Sequence, residues 1–488
     1  MRSSSRMSGR SRSPVNAKQS RLQPSSPEGT ADFSNIHLRV LAGDFVVPGI
    51  SLFVEQWQQR TKATVEVTSI PFSDLYEHLM AICHNRVDPT YDIVIYSSNW
   101  TTELATVGYI VDLESYMAKK DNWSGVLPQV QRLAYCDGHR FSLPLDGDVI
   151  FGYYRRDALE NNDYRLRFLR EFGWPLRPPR TWSEYADIAA FFTGWDWAQS
   201  GRRGYGVLEA MGPHDIGVYL FIARAAAYSA HPKYSRSLFF DPVTMKAHIA
   251  SPGFVRALDE WIAVARSGPP EMTKMGGHEV RKEFVRGDYA LALDWADIGI
   301  MAQHPTLSLV KGKVSCFIAC GSDEVYNYRR DAWDHFERYQ HAPFQAWGGW
   351  HASLTATGKH VDAAWDFIAY LDTTRNALTA VTTPDAARNP YRLDHFDPAA
   401  WIRADVHYTH AASYLRTQWS SLTHYNAQPD LRIRKAGQYM QVLDEHIQHA
   451  ITGQLTSAEA LRAAANAWDN LTANIGVEWQ RSLYVGHT

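Results

Sequence analysis

The sequence lacks the features that mark several classes of protein. Its 488 residues include only four cysteines, too few for a disulfide-rich scaffold. No apolar run approaches the roughly 18 residues of a membrane-spanning helix, and the longest candidate, residues 216–230, contains Arg224. The formal net charge is −3, so the chain lacks the basic excess that binds a nucleic-acid backbone. A globular protein without a nucleic-acid partner is therefore expected.

The cysteines also fail to form a metal-binding pattern. Cys83 and Cys136 are isolated, whereas Cys316 and Cys320 lie on one face of a predicted strand. Zinc knuckles prefer two intervening residues, and no partner pair follows at metal spacing. We therefore expect buried free thiols and no metal site.

What the chain does have is length and aromatic residues. Single cores rarely grow past about 250–300 residues, so 488 residues predict two lobes. Aromatic residues make up 13% of the chain, with 17 Trp and 25 Tyr. Such rings fill protein cores, and they also offer flat faces on which sugar rings stack. Composition alone leaves both uses open.

The first 35 residues differ from the rest. They carry six basic and two acidic side chains among Ser, Pro, Gly and Gln. Such a segment cannot bury enough apolar surface to offset its ordering entropy. It contains no apolar stretch of about 7–15 residues, as a complete secretory signal would. Residues 1–35 are therefore predicted to be a disordered tail or a tag.

A β-α-β-α-β pattern begins at residue 36. Three short apolar segments are predicted strands: His37–Leu41, Thr64–Ile70 and Tyr91–Tyr96. Two amphipathic helices lie between them, and Ser73 is predicted to cap the second. This order predicts a parallel, doubly wound sheet, whose ligands bind beyond the carboxyl ends of the strands.

The remaining chain gives weaker signals. Phe141–Tyr154, with Pro144 and Gly147, suits a crossover between lobes. Thr181 is predicted to cap a helix, and Ala290–Asp294 is strand-like. Gly321–Phe344 is charged and aromatic without a clear period, and we interpret it as an excursion or lid. The last hundred residues are predicted to be helical.

The order of these signals over roughly residues 36–480 resembles one family. The fragments that carry the resemblance are Tyr91-Asp-Ile-Val, Trp100, Glu103-Leu-Ala, Gly108-Tyr-Ile-Val-Asp-Leu, Leu143-Pro, Tyr153-Tyr-Arg-Arg-Asp, Pro179-Arg-Thr-Trp-Ser-Glu, Phe284, Trp295, Gly348-Gly-Trp and Ala363-Ala-Trp-Asp-Phe-Ile. Each fragment is common, but their order and spacing are similar to those of the family 1 extracellular solute-binding proteins of bacterial ABC sugar importers.

The resemblance implies an α/β fold of the two-lobed periplasmic-binding-protein type (type II), with doubly wound sheets joined by a hinge. Residues 36–145 plus 345–378 would form the N-terminal lobe, and 146–344 plus 379–488 the C-terminal lobe. The implied function is capture of a carbohydrate in the interlobe cleft and delivery to the permease subunits of the membrane importer. It implies no catalysis and no cofactor, a monomer, and a periplasmic location, although the family's signal peptide and lipid-anchoring Cys are missing.

Six candidate ligand contacts follow predicted strands or lie in the crossover. Asp44 and Phe45 follow the first strand, where a carboxylate can accept two sugar hydroxyls or serve as a turn residue. Asn99 and Trp100 follow the third strand, and Trp100 can instead plug the sheet edge. Asp146 and Asp148 flank Gly147 in the crossover. This D-x-D pair suits hydroxyl acceptors or a hinge, next a plain structural role, and most weakly the metal-holding device of glycosyltransferases.

Five more candidates come from the second half of the chain. Asp294 and Trp295 end a predicted strand, and by resemblance Trp295 is a stacking platform. Gly349 permits close backbone approach beside Trp350, the preferred stacking residue, with Trp347 as its rival. Arg388 can be a fork donor to the ligand or form a surface ion pair.

Two alternatives remain open at the level of sequence. The same fold could bind a non-sugar polar solute, with Arg388 central. The chain could also be a sugar-processing enzyme that uses Asp146 and Asp148 or another carboxylate pair. No phosphate-binding loop surrounds Gly358-Lys359, and no G-x-S-x-G elbow is present, which argues against a nucleotide-binding protein or a serine hydrolase.

Overall fold

The computed structural model describes residues 32–85, 90–118, 123–234 and 237–486. Most of the predicted tail, residues 1–31, lies outside this part of the chain. The strands are β1 (His37–Gly43), β2 (Thr64–Ile70), β3 (Ile93–Ser97), β4 (Tyr135–Cys136), β5 (His139–Arg140), β6 (Leu143–Pro144), β7 (Phe151–Arg155), β8 (Tyr205–Leu208), β9 (Tyr289–Asp294), β10 (Val314–Ile318), β11 (Ser322–Asn327), β12 (Ala332–Gln340), β13 (Phe344–Gln345), β14 (Trp350–Leu354) and β15 (Gln428–Pro429).

Helices cover both sheets and form most of the carboxyl-terminal part. They are α1 (Val47–Thr61), α2 (Phe72–Asn85), α3 (Thr101–Thr106), α4 (Glu114–Met117), α5 (Pro128–Gln131), α6 (Arg156–Leu159), α7 (Asn162–Phe172), α8 (Trp182–Phe191), α9 (Gly217–Ser229), α10 (Pro252–Val264), α11 (Gly277–Phe284), α12 (Asp297–Met301), α13 (Val361–Leu371), α14 (Thr374–Val381), α15 (Pro398–Arg403), α16 (Tyr408–Leu422), α17 (Ala436–Ile451), α18 (Ser457–Ile475) and α19 (Val477–Gly486).

The first sheet has the strand order β2-β1-β3-β14-β6. Strand β1 pairs in parallel with β2 and β3, so the predicted β-α-β-α-β start is confirmed. Strand β14 returns from much later in the chain and runs antiparallel to β3. The central strand β3 is buried along its whole length, as expected when helices cover both faces of a sheet.

The second sheet has the order β10-β7-β9-β8 and is mixed. Strand β7 runs antiparallel to β9 and β10, whereas β8 and β9 are parallel. The predicted strand at 290–294 is confirmed as part of β9. Each sheet lies in a hydrophobic core of its own, and we call the sheet with its core the first or the second lobe.

Local sequence signals explain several boundaries. The Thr181 side chain accepts a hydrogen bond from the Glu184 N–H and caps α8, as predicted. Ser73 does not cap α2, because the helix begins one residue earlier, at Phe72. The Ser73 hydroxyl instead donates to Asp74 at 3.0 Å.

The segment interpreted as an excursion or lid is a β-hairpin. Strands β11 and β12 pair antiparallel, with an irregular register between Ser322 and Glu324, and β11 packs on α9. Strand β12 is half-buried or exposed throughout, so its residues show no simple alternation.

The cysteines are free thiols, as predicted. Cys136, Cys316 and Cys320 are buried, and Cys83 is half-buried. Burial raises the pKa of the Cys316 thiol well above its usual value, which makes it unreactive. Among the described residues, no helix has the length and apolar content needed to cross a bilayer.

The second sheet provides a test of the packing. A Cβ at Gly206 in β8 would lie 1.7 Å from the Ala189 carbonyl oxygen of α8. Gly206→Ala is therefore expected to lower the free energy of unfolding by about 2 kcal/mol or more, measured by urea titration. Gly486→Ala is the matched control, because a Cβ there meets nothing within 4 Å. Equal stability of the two variants would contradict this packing.

Candidate functional site

The carboxyl ends of β1 and β2 meet at Asp44. Its Oδ1 accepts hydrogen bonds from the N–H groups of Phe45, at 3.0 Å, and Phe72, at 3.1 Å. Its Oδ2 lies 3.9 Å from His278 Nε2 on α11 of the second lobe. Burial acts to raise the pKa of Asp44, but His278 and the two N–H groups outweigh it and lower the pKa. Asp44 is therefore a turn residue that also reaches the second lobe.

Phe45 joins the two lobes directly. Its ring stacks on the His278 imidazole, with centroids 4.1 Å apart and planes within 10°. The Arg281 guanidinium of α11 lies 5.6 Å from the same ring. The lobes thus contact each other at the carboxyl end of β1, where sequence reasoning predicted a ligand contact.

Deeper between the lobes lies a group of rings that we call the aromatic cluster. It consists of Phe72, Trp100, Tyr219, Trp295, Trp347 and Trp350. Phe72 begins α2 of the first lobe, and its ring centroid lies 4.1 Å from that of Trp347. On the side of the second lobe, the ring centroids of Trp347 and Trp295 are 4.5 Å apart. The Trp347 indole therefore lies between a ring of each lobe.

The backbone of Trp347 is firmly held. Its N–H donates to Asp430 Oδ2 at 2.9 Å, and its carbonyl accepts from the Ser98 hydroxyl at 2.8 Å. Its φ is 64°, and Gly348 and Gly349 follow with φ of 69° and 100°. Positive φ is rare for a bulky side chain, so this turn is strained at the centre of the site. The indole Nε1 is buried without a well-aligned acceptor.

Trp350, the preferred stacking candidate, forms the floor of the aromatic cluster. A Cβ at Gly43 would lie 2.6 Å from its ring, so the indole packs directly on β1. Its ring also meets the edge of the Phe72 ring at 5.7 Å. A Cβ at Gly349 would lie 2.7 Å from the Asp146 carbonyl oxygen, which explains the glycine beside the crossover. The stacking role of Trp350 stays a prediction.

Trp100 and Asn99 follow β3 as predicted. The Trp100 ring stacks on Phe72 with centroids 5.9 Å apart and planes within 15°. Asn99 Nδ2 donates to Asp430 Oδ2 at 3.1 Å, so this amide is tied to the segment after β15. Trp100, Trp295, Trp347 and Trp350 are each at most 5% exposed, so the rings of the aromatic cluster are buried in this structure.

A second group, which we call the acidic cluster, lies at the chain crossings. It consists of the carboxylates of Asp146, Asp148, Asp294 and Asp297 with Arg281 and Asn389. Arg281 donates to both oxygens of Asp294, at 2.8 and 2.9 Å. Asn389 donates its backbone N–H to Asp146 and its side-chain amide to Asp148. Asp146 and Asp148 are thereby bound to one residue of the returning chain.

The carboxylates of the acidic cluster are hard to ionise together. Burial, then the charge of Asp297, raises the pKa of Asp146 to about 7. Burial and the neighbouring carboxylates raise the pKa of Asp148 well above its usual value. Burial also raises the pKa of Asp294, against the opposing effect of Arg281. In the described part of the chain, no three His, Cys, Asp or Glu side chains are arranged to hold a metal ion.

Arg388 lies apart from the aromatic cluster. It is buried, and its Nη1 donates to the Leu145 carbonyl at 3.3 Å. Its Nε would lie 3.3 Å from a Cβ at Gly49, so the guanidinium packs against α1. Nε and Nη2 have no hydrogen-bond partner among the described residues, and burial lowers the pKa of this arginine.

Sequence reasoning missed several residues of this region. Phe72 follows β2 just as Asp44 follows β1, so the same strand-end signal could have found it. Tyr219, His278 and Asp430 carry no such signal. Asp430 meets Asn99 across 331 residues of chain, and no local pattern announces a contact of that range.

Comparisons with known proteins give the family. The family model for bacterial extracellular solute-binding proteins matches residues 48–377, more than half of the chain. The chain belongs to this family. The confirmed fold is therefore the two-lobed α/β fold of these proteins, and the family places its members outside the cytoplasm.

Solved structures share the fold at low sequence identity. A ribitol complex of an ABC transporter solute-binding protein from Agrobacterium radiobacter has a TM-score of 0.72 and 18% identity, covering 90% of this chain and all of that one. Maltose-bound MalE3 of T. maritima has a TM-score of 0.70 and 19% identity, covering 89% and 100%. A mannitol-bound protein from Agrobacterium vitis has a TM-score of 0.69 and 16% identity, covering 90% and 99%. A search of curated proteins finds no significant match.

The buried Asp430 provides a pH test. Burial raises its pKa to about 7, above the value of 3.8 for an unpaired aspartate. The unfolded chain therefore ionises first, and stability from this group is lost as the pH rises through about 7. The free energy of unfolding is measured by urea titration at about pH 4 and about pH 8. From the lower to the higher pH, the value for Asp430→Asn is expected to rise by roughly 3 kcal/mol relative to the wild type.

Asp137→Asn is the matched control for this test, because Asp137 is exposed in a turn and the change removes the same charge. Asp430→Asn is expected to differ from this control in how its stability changes between the two pH values. The same change in both variants would contradict the assignment of a raised pKa to Asp430.

Proposed function

We propose that this chain is the substrate-binding receptor of an ABC importer, which captures a carbohydrate between its lobes and delivers it to the membrane permease. Solved structures of the same fold hold ribitol, maltose and mannitol. The proposal includes a binding protein rather than an enzyme, a periplasmic monomer, and no nucleic-acid partner. It keeps lobe boundaries of 36–145 plus 345–378 and 146–344 plus 379–488.

One observation carries the proposal: aromatic rings of both lobes face each other at the carboxyl ends of the strands. Phe72 comes from the first lobe and Trp295 from the second, with Trp347 between them. Flat, amphipathic rings suit the apolar faces of sugar rings. A solute held between these rings would contact both lobes at once.

Polar groups at the strand ends complement the rings. Asp44 Oδ2 and Asn99 lie at the ends of β1 and β3, where they can bind hydroxyl groups once the lobes separate. Asp294 of the acidic cluster accepts a hydrogen bond from the Trp295 N–H at 2.7 Å, and Asp148 belongs to the same cluster. We propose these residues, with the other candidates from the sequence except Arg388, as the binding set.

The proposed mechanism is a population shift between open and closed lobes. A solute that contacts both lobes binds the closed form more tightly, and can shift the equilibrium only by that difference. Micromolar affinity corresponds to about −8 kcal/mol. Two stacked rings and several charge-assisted hydrogen bonds can supply this after the ordering costs of binding.

The geometry gives less support to the two alternatives. The Arg388 guanidinium lies between the Leu145 carbonyl and α1, where an acidic solute in the aromatic cluster would not meet it. Asp146 and Asp148 are occupied by Asn389 rather than arranged around a space for a metal. A binding role suits both observations.

The test begins with a thermal-shift screen against a panel of sugars and polyols, because a ligand of the folded form raises the melting temperature. Calorimetry then measures the affinity of the best ligand. Trp295→Ala is expected to weaken binding about tenfold or more, since it removes one of the two facing rings.

Trp479→Ala serves as the control, because this tryptophan of α19 is half exposed and lies outside the aromatic cluster. Its affinity is expected to equal that of the wild type. The proposal fails if no sugar or polyol binds, or if Trp295→Ala binds as tightly as the control.

A further inference from the structure

A cavity lies outside both the aromatic and the acidic cluster. It has a volume of about 360 Å³, within the range of small-molecule sites. We call it the side cavity. Its walls come from the segment 129–133, from the loop 423–432 and from the end of α19. Leu238, Phe239 and Gln345 complete the lining. It shares no residue with either cluster.

The side cavity contains a buried cation without a counter-ion. Arg432 is 6% exposed, and no carboxylate of the described residues forms an ion pair with it. Its guanidinium donates to the carbonyls of Leu133, at 3.0 Å, and Tyr135, at 3.2 Å, while Nε has no acceptor. Burial lowers its pKa to about 10, which still leaves it charged at neutral pH. A buried charge without a partner is costly, so this position favours an anion.

The other charged residues strengthen this preference. Arg132 is an exposed lining residue that forms no ion pair within the described chain. Asp430, the carboxylate of the lining, is engaged elsewhere: Oδ2 accepts from Trp347 and Asn99, and Oδ1 from the Leu431 N–H. The cavity wall thus presents two guanidinium groups and one carboxylate that is already satisfied.

Neutral donors and an acceptor complete the wall. The Tyr484 oxygen accepts from the N–H groups of Phe239 and Phe240, so its own proton is free for another partner. His424 Nδ1 accepts from the Asn426 N–H, which places the imidazole proton on Nε2. Gln129 Oε1 is an acceptor that has no partner in the described part of the chain. Donors therefore outnumber acceptors, and one acceptor suits a ligand hydroxyl.

We propose that the side cavity is a second binding site, for a small hydroxylated organic anion that carries a carboxylate or a phosphate ester. The anionic group would pair with Arg132 and Arg432, and a hydroxyl would donate to Gln129. Arginine forks match both kinds of anion, so the charge pattern names the class and not the individual group.

The test is calorimetry at low ionic strength with glucuronate, glucose 6-phosphate and neutral glucose. At least one of the two anions is expected to bind, and the stronger one identifies the anionic group. Arg132→Gln is expected to weaken that binding at least about fivefold, and added salt should weaken it too. Arg416→Gln is the matched control, an exposed arginine on α16 outside the cavity, and is expected to bind as the wild type does.

Two further arms make the result decisive. Trp295→Ala distinguishes this site from the aromatic cluster: anion binding is expected to persist in it. Arg432→Met removes the buried cation, and it is used only if its circular dichroism and melting show a folded protein. The test does not depend on this variant, because Arg132→Gln alone decides whether the anion binds in the side cavity. The proposal is overturned if neither anion binds at millimolar concentration, if Arg132→Gln binds like Arg416→Gln, or if Trp295→Ala abolishes anion binding. None of these results depends on whether a neutral sugar binds between the lobes.

Discussion

The contact of Trp347 with a ring from each lobe is the constraint on which the rest of the structure depends. Its backbone is fixed by hydrogen bonds to Asp430 and from the Ser98 hydroxyl after β3. Trp347 has a strained positive φ, and the two glycines after it also have positive φ. These backbone angles set the path of the chain where it passes from one lobe to the other.

Buried carboxylates lie where the chain crosses between the lobes. Asn389 of the returning chain binds Asp146 and Asp148 of the outgoing chain, and the aspartates repel one another. Such a group is stable only while its hydrogen bonds hold, because partly satisfied buried networks are costly. The crossings thus combine tight packing with repulsion between buried carboxylates. This combination suits a hinge that has two arrangements.

Local patterns carried the sequence-based predictions that succeeded. Short strand-like segments predicted β1 and β2, a nearly all-apolar segment predicted β3, and the hydroxyl of Thr181 predicted the start of α8. Long-range contacts could not be read in this way. The return of β14 beside β3, the hairpin of β11 and β12, and the reach of Asp430 to Asn99 depend on residues far apart in the chain. The site residues given by strand ends were therefore found in part, while His278 and Tyr219 of the facing lobe were not.

The central claim is that the lobes close upon a solute. The most direct measurement is the distance between spin labels placed at residues 73 and 282 in a Cys83→Ser background. Ser73 and Lys282 are exposed, and they lie beside Phe72 in the first lobe and Arg281 in the second. Pulsed electron paramagnetic resonance should show a broad distribution of label-to-label distances without ligand. With a saturating sugar, the distribution should be narrower and centred on a shorter distance. A distribution that stays the same while calorimetry shows the sugar bound would contradict the account.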